Sequence, residues 1–578
     1  MADSSKNTGR HFSKPSPRTQ AGGQAPAVRA DAHAEEETAL KDTRATEARA
    51  EKSSNMVSAL IIVSRITGFM RTFMQAWAIG ATMLASCYTI ADQLPNVLYE
   101  LVMGGMLITS FLPVYIKVKG ERGSRAASDY ASNLLSFVMF AMIILAILGF
   151  VFAAPVVWTQ SAGATESFDF DLTVWLFRCF SVEIVLYALS SIFSGVLNAE
   201  RDYLWSNIAP ILNNFVIITA FLLFGLATQN GILDTRQAII ILAIGNPLGV
   251  AMQVLVQVPA LRRHGIRLRP RINFHDPYLR NTLSIGLPTL VVTLVAYPTN
   301  AVMSSCNLSV TEIGPAVAYY ARVWYVLPFS VFAIPLSTTM FTELSSYVTQ
   351  GKMKAFVTSF TSGMRKILFT LIPFVLFFAA FSPCLIAVIA SGSFTTESIS
   401  LTAGYLAVLA LTLPWYGLSS YLQKACSSLL SMKFYMVATC FAAVVQIVVC
   451  LVFTPLYGIY VVPFSSMLYY GVIDIGVLIQ LRGRLGRLGL KSVAVSVLRA
   501  LAFGAAGSLA GWLIVQGVTA AFGPCVGLVR GLLYAMAGGF PALAVTFGGA
   551  TLLGMSDAPF FDSIFRRLIP ARLLRARR

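Results

Sequence analysis

Long apolar stretches separated by short polar connections recur from Met56 almost to the end of the chain. Each is long enough to cross a bilayer as a helix, which takes about 20 apolar residues. They begin near Met56, Ala91, Tyr130, Leu172, Ile208, Ala238, Leu283, Val317, Phe356, Ser398, Phe434, Val461, Ala494 and Val526. The pattern predicts an all-α polytopic membrane protein of about 14 transmembrane helices. Threading them back and forth sorts the connections by charge. Those after even-numbered spans carry Lys117, Lys119, Arg122 and Arg125, then Arg262, Arg263, Arg267, Arg269, Arg271 and Arg280, then Lys352, Lys354, Arg365 and Lys366. The later ones carry Lys424 and Lys433, then Arg482, Arg484, Arg487 and Lys491, and the tail holds Arg566, Arg567, Arg572, Arg575, Arg577 and Arg578. The other connections are neutral or acidic, as around Glu166, Asp169 and Asp171. Basic residues are retained on the cytoplasmic side, so both termini are expected there.

Residues 1–52 have a different pattern. They are polar and lack hydrophobic periodicity, and almost no large apolar residue occurs beyond Phe12 and Leu40, so they predict a disordered cytoplasmic arm. No apolar segment precedes Met56, so no cleavable secretory signal is expected. The remaining divisions expected are an N-terminal lobe over 53–265, a C-terminal lobe over 277–482, a final helix pair over 493–555 and a basic cytoplasmic tail over 556–578.

Composition changes this picture little. The chain is 56% hydrophobic and only 12% charged, about half the charged fraction of a soluble protein. A net charge of +17 in a soluble chain would raise nucleic-acid binding. Here the cations sit at cytoplasmic helix ends, where anionic membrane lipids meet them, and nucleic acid is not expected. The eight cysteines form no C-x-x-C pair and fall mostly inside spans. All four histidines lie in the arm or in one cytoplasmic loop, so neither a metal site nor a cofactor is expected in the membrane. Short outer loops without a catalytic constellation argue against an enzyme.

The candidate chemistry therefore lies in charges inside the spans, which are costly there and face a cavity or a partner. Arg65 and Arg71 fall in the first span, Asp92 and Glu100 in the second, Arg178 and Glu183 in the fourth, Arg322 and Glu343 in the eighth, and Asp474 in the twelfth. Arg65 lies about nine residues into its span, roughly 14 Å deep, and Arg71 projects about 120° away from it. Each arginine has two readings, an ion pair with Asp92 or Glu100, or contact with an anionic substrate. Arg322 stands alone in an uncharged stretch and is read as functional. Glu100 and Glu343, with Asp92, are candidate charge partners or gate residues. Asp474 is a candidate carboxylate for a coupling ion, or is protonated or paired. Arg178 and Glu183, five residues apart, cannot pair well with each other and receive no role. Prolines 95, 113, 288, 298, 328, 335 and 414 permit kinks within or at the ends of spans, as in transporters that rock.

Ser64-Arg65-Ile66-Thr67-Gly68-Phe69-Met70-Arg71, Gly80-Ala81, Leu94-Pro95-Asn96-Val97-Leu98, Gly105 and Phe111-Leu112-Pro113-Val114 together resemble the N-terminal signature of the MurJ/MviN family. These are bacterial lipid II flippases of the multidrug/oligosaccharidyl-lipid/polysaccharide exporter (MOP) superfamily. Ser194 to Ala199, Pro210 to Asn214, Tyr319-Tyr320-Ala321, Leu327-Pro328 and Ile334-Pro335-Leu336 extend the resemblance, which runs from about Met56 to Leu553. It implies two six-helix lobes around a central cationic cavity plus two C-terminal helices with a groove for the lipid tail. It also implies Arg65 and Arg71 as cavity arginines and an undecaprenyl-pyrophosphate-linked peptidoglycan precursor as cargo, in the bacterial plasma membrane and beside other cell-wall synthesis proteins. The chain departs from the family at Ser86, at Tyr99-Glu100 and at Arg322-Val323, which alters the cavity charge. Thr109-x-Phe111 and Thr339-x-Phe341 form a faint internal echo, as two parallel lobes would. The competing readings are a related exporter of another lipid-linked oligosaccharide or a drug, and a non-transporting scaffold or glycosyl transferase.

Overall fold

The computed structural model describes residue 56 and residues 59–568, apart from 104–110, 267, 272, 274–275, 391–393 and 556. The arm over 1–52 and the last ten residues of the basic tail, 569–578, lie outside the described residues. Among the described residues the chain is helical throughout, with no strand.

Among the described residues ten helices are long and apolar enough to span a membrane, and one further pair, bent by 43° between its halves, is so when taken together. In our numbering, α3 covers Leu112–Val151, continued by Ala153–Ser161, and α4 covers Phe170–Ala199. They are followed by α5 (Tyr203–Gln229), α6 (Thr235–Arg263), α8 (Gly314–Thr349) and α9 (Met353–Ile389). The bent α10 (Thr396–Ala410 with Leu413–Ser428) leads to α11 (Met432–Tyr457), α12 (Val461–Leu485), α13 (Leu490–Phe522) and α14 (Leu528–Leu552). Three further helices of spanning length complete the expected set: α1 over 60–79, α2 (Met83–Met103) and α7 (Pro277–Val310). A short helix, α15 (Pro559–Leu568), closes the described chain.

Helix starts follow local side-chain chemistry. The Asp169 carboxylate accepts from the Leu172 amide at 2.8 Å, and that of Asp276 from the Tyr278 amide at 2.9 Å ahead of Pro277. Thr395 and Ser398 form a reciprocal cap on α10. Each cap satisfies amide donors that a helix beginning at the membrane surface would otherwise leave open.

Breaks follow the prolines in part. Pro328 precedes a π-helical turn over Phe329–Ala333 in α8, and Pro541 precedes another over Ala544–Gly548 in α14. A proline removes one backbone donor, and a wider turn re-registers the ladder. Pro414 opens the second half of α10. The break in α4, at Ser181-Val182, has no proline. The connection expected after the second span is helical over most of its length. Lys117, Lys119, Arg122 and Arg125 lie on α3, which kinks at Gly123, where φ is 82°.

Helices α2 to α6 pack on one another and α1 joins them at α5, where Asn214 Nδ2 donates to Thr67 Oγ1 at 3.0 Å; α7 to α12 pack likewise, and α13 and α14 lean together on α9. The last contact is made by small residues. A Cβ at Gly511 would stand 2.3 Å from the Gly538 carbonyl oxygen and 2.7 Å from the Phe381 ring, and one at Gly507 would stand 2.0 Å from Thr546 Oγ1. Without a hydrophobic drive between helices in lipid, such backbone approach holds them together. Gly511→Leu should therefore lower the thermal aggregation temperature of the detergent-purified chain by several degrees, at a cost of about 1–3 kcal/mol for overpacking. An unchanged temperature would place the helix pair's stability elsewhere. The start of α15 is pinned by Asp557, whose carboxylate accepts from Arg365 Nη2 at 2.6 Å and from Ser496 Oγ at 2.8 Å.

Candidate functional site at the seam between the lobes

The two lobes close on each other near the α1–α2 turn. The Tyr320 hydroxyl, fully buried, donates to the Gly80 carbonyl at 2.8 Å, and the Ala316 amide donates to Ser86 Oγ at 3.4 Å. Thr72 and Tyr319 share a 3.4 Å hydroxyl contact, and Phe69 meets Trp324 edge to face at 5.5 Å. Towards the other ends of α1, α2 and α8, Arg65, Glu100, Thr338, Thr339 and Thr342 are all exposed. The seam is thus shut at one end and looser at the other.

Arg71 sits just inside the shut end. Its electrostatic neighbours are Tyr319 on α8, Asp92 and Tyr88 on α2, and Tyr187 on α4. Among the described residues it makes no ion pair, and its buried Nε has no hydrogen-bond partner. Asp92 is engaged from elsewhere: Asn246 on α6 donates to Asp92 Oδ1 at 2.7 Å. Glu100 is exposed, without a partner among the described residues. Among the described residues neither α1 arginine forms an ion pair with Asp92 or Glu100, and Asp92 acts on Arg71 only as an electrostatic neighbour. Arg71 keeps fixed donors unspent, which suits an oxyanion.

Glu183 joins this cluster, although sequence reasoning left it without a role. It opens the second half of α4 at the Ser181-Val182 break, is fully buried, and lies within the fields of Asp92 and Arg71. The Tyr187 hydroxyl stands beside it, yet neither carboxylate oxygen completes a hydrogen bond. A buried polar group left open is costly and uncommon. The signal in the sequence was the glutamate's place deep in an apolar span. Arg178 lies elsewhere, 5.9 Å from the centre of the Phe150 ring.

Arg65 is not brought to this cluster. It is exposed among exposed Ile61, Ile62, Val63 and Ile66 and makes no polar contact among the described residues. Arg322, also exposed, reaches into the other lobe, where its charge acts on Tyr325, Tyr405, Tyr416 and Tyr470. Three of these rings are linked, Tyr416 lying 6.0 Å from Tyr325 and 5.0 Å from Tyr470. In sequence, the register that aligns Thr109, which lies outside the described residues, with Thr339 also aligns Asp92 with Arg322. Glu343 accepts from the Tyr347 hydroxyl at 3.0 Å on its own helix. Asp474 is fully buried on α12 with both oxygens unpartnered, and the nearby Ser419 hydroxyl shares a 3.1 Å contact with Tyr435. Tyr99, which stands where the resemblance leads one to expect a basic residue, instead donates to Ser191 Oγ at 2.6 Å and ties α2 to α4. No cluster of metal-ligating side chains occurs among the described residues.

Two helical lobes meeting over buried charges define a membrane transporter of the alternating-access kind. The fold matches solved structures of that class. One, a lipid II flippase MurJ in an inward closed conformation, has a TM-score of 0.68 at 19% identity over 86% of this chain and 99% of its own. An inward-facing multidrug resistance MATE family transporter of the MOP superfamily has a TM-score of 0.61 at 13% identity over 75% of this chain and 98% of its own. Residues 75–531 match the family described as Lipid II flippase MurJ, and the chain belongs to that family. Curated relatives include a probable lipid II flippase MurJ from Buchnera aphidicola subsp. Acyrthosiphon pisum, 26% identical over 60% of this chain and 67% of its own length. The lipid II flippase MurJ of Burkholderia cenocepacia is 23% identical over 62% and 69%.

Proposed function

We propose that the protein carries lipid II, a lipid-linked peptidoglycan precursor, from the cytoplasmic to the outer leaflet by alternating access, as a transporter and not a catalyst. The observation that carries this reading is Arg71, an arginine with unspent donors at the lobe seam, directly inside the closed end. A pyrophosphate offers several oxygens to such a fork, and in a site shielded from water the attraction is stronger than at a surface. The lobes over 53–265 and 277–482 would rock about the site while the polyprenyl tail stays in lipid along the final helix pair. Arg322 extends the anion path into the second lobe, and Arg65 serves as an entry residue at the looser end.

The charge bias of the connections supports a bacterial plasma membrane orientation with both termini in the cytoplasm, the looser end inward and the shut end outward. The membrane potential, negative inside, then favours departure of the anion by about 2.3 kcal/mol per charge per 100 mV. Asp474, buried and unpartnered in the second lobe, is the candidate for a coupling cation. Anionic lipids would meet the basic connections, and other cell-wall synthesis proteins are expected nearby.

The test is complementation of cells depleted of their own flippase, scoring lipid II exposed on the outer face with a labelled probe. Rescue of exposure and growth is expected. A well-expressed chain that leaves lipid II inside would turn the reading to another lipid-linked oligosaccharide or a drug.

A further inference from the structure

Of the eight cysteines, four stand as two neighbouring pairs that no sequence motif announced. Cys384 near the end of α9 meets Cys525, and Cys306 near the end of α7 meets Cys450 on α11. Among the described residues the other four have no thiol partner. Both pairs lie toward the shut end of the molecule, which the orientation proposed above places outside, and their exposure to an oxidising compartment depends on that orientation.

The pairs differ in access. Cys306 and Cys450 are 5% and 0% exposed, and Cys450 also contacts Ser465 Oγ at 3.1 Å. Cys525 instead sits half-buried in the turn Gly523-Pro524-Cys525-Val526-Gly527 between α13 and α14, over a Cys384 that is 4% exposed. That turn is held in place. The Tyr534 hydroxyl donates to the Gly523 carbonyl at 2.8 Å, and both flanking glycines have positive φ, 88° and 81°. The start of α14 lies directly on α9, since a Cβ at Gly531 would stand 2.8 Å from the Val388 amide nitrogen and 3.1 Å from the Cys384 carbonyl oxygen. The two sulfurs are thus brought together by packing that does not depend on a bond between them.

We propose that Cys384 and Cys525 are a site of oxidative modification, forming a disulfide that ties the α13–α14 turn to the end of α9 on the outer face. Compartments outside the cytoplasm sustain such bonds. The oxidant is a disulfide, of a small molecule or of a protein. The Cys525 thiolate attacks one sulfur of it, forming a mixed disulfide and releasing one thiol of the oxidant. Cys384, on losing its proton, then attacks the Cys525 sulfur and expels the second. Two protein thiols are oxidised to one disulfide, and the oxidant is reduced to two thiols. Cys525 suits the first step because it is the accessible partner, and the neighbouring Cys384 thiol lowers its pKa from the ordinary thiol value. The buried pair Cys306 and Cys450 offers an oxidant no entry and remains as thiols.

The test uses the full chain in cells, quenched with acid and alkylated before lysis. Non-reducing digestion and mass spectrometry should yield the peptide joining Cys384 to Cys525 as the dominant form of both. It should vanish in Cys384→Ser and Cys525→Ser at unchanged abundance, while Cys306 and Cys450 are recovered alkylated. Recovery of Cys384 and Cys525 as alkylated thiols would overturn the proposal. A parallel arm reduces spheroplasts and adds a membrane-impermeant maleimide. Labelling of Cys525 from outside without a joined peptide leaves the orientation standing and sinks the disulfide, whereas labelling only after lysis sinks the orientation and the disulfide with it.

Discussion

Arg71→Ala, at wild-type abundance in cells depleted of their own flippase, is expected to expose about tenfold less lipid II or worse. Hydrogen bonds to charged groups contribute about 1.5–3 kcal/mol each, and about 1.4 kcal/mol is a factor of ten. Arg71 is surrounded but unpaired: Asp92 is held by Asn246, and Glu183 completes no hydrogen bond. Removing the guanidinium would take away the cation of the seam and leave two carboxylates facing an anionic cargo. Arg71→Lys should restore only part of the loss, since an ammonium supplies charge without the planar fork. Arg65→Ala should reduce exposure by about threefold or less, because Arg65 has no polar contact among the described residues and stands among exposed apolar ones. A reversed order, with Arg65→Ala severe and Arg71→Ala near wild type, would move the anion site to the entrance.

The spans and the loop charges were legible because each rests on a one-dimensional signal, the length of an apolar run and the sign of its flanks. The intramembrane charges were legible as a set for the same reason. What could not be read was which of them meet. Arg71 and Glu183 lie on helices α1 and α4, and Glu183 comes within electrostatic reach of Arg71 just after the α4 break at Ser181-Val182, which no proline marks. Asn246 as the partner of Asp92 was equally hidden, since a lone amide in α6 has no periodic signature. For Arg65, counting along the helix gives a depth but not its surroundings, and most of its neighbours on this half of α1 are exposed. Helix forms on both sides of the Gly123 kink where the charges had suggested a loop, because Lys and Arg are good helix formers whose flanks alone do not end a helix.

Tyr320→Phe is expected to loosen the shut end and shift the resting population toward an outward-open form by about tenfold or more. Tyr320 is fully buried, and among the described residues its hydroxyl is the one donor to the Gly80 carbonyl across the lobes. Leaving a buried acceptor open costs about 1–3 kcal/mol. That cost falls only on the closed form, because a seam that has parted lets water reach the Gly80 carbonyl in its place. A perturbation felt by one state alone moves the equilibrium by its full amount, whereas one felt equally by both moves nothing. The Thr72 to Tyr319 contact and the Phe69 to Trp324 packing would remain, so the lobes should still close, only less often. Distances between spin labels placed on the outer ends of α2 and α8 would read the shift directly, and transport should fall because cargo loads from the inward-facing form. A distance distribution that superposes on wild type would show that the gate is held by the aromatic packing and not by this hydrogen bond.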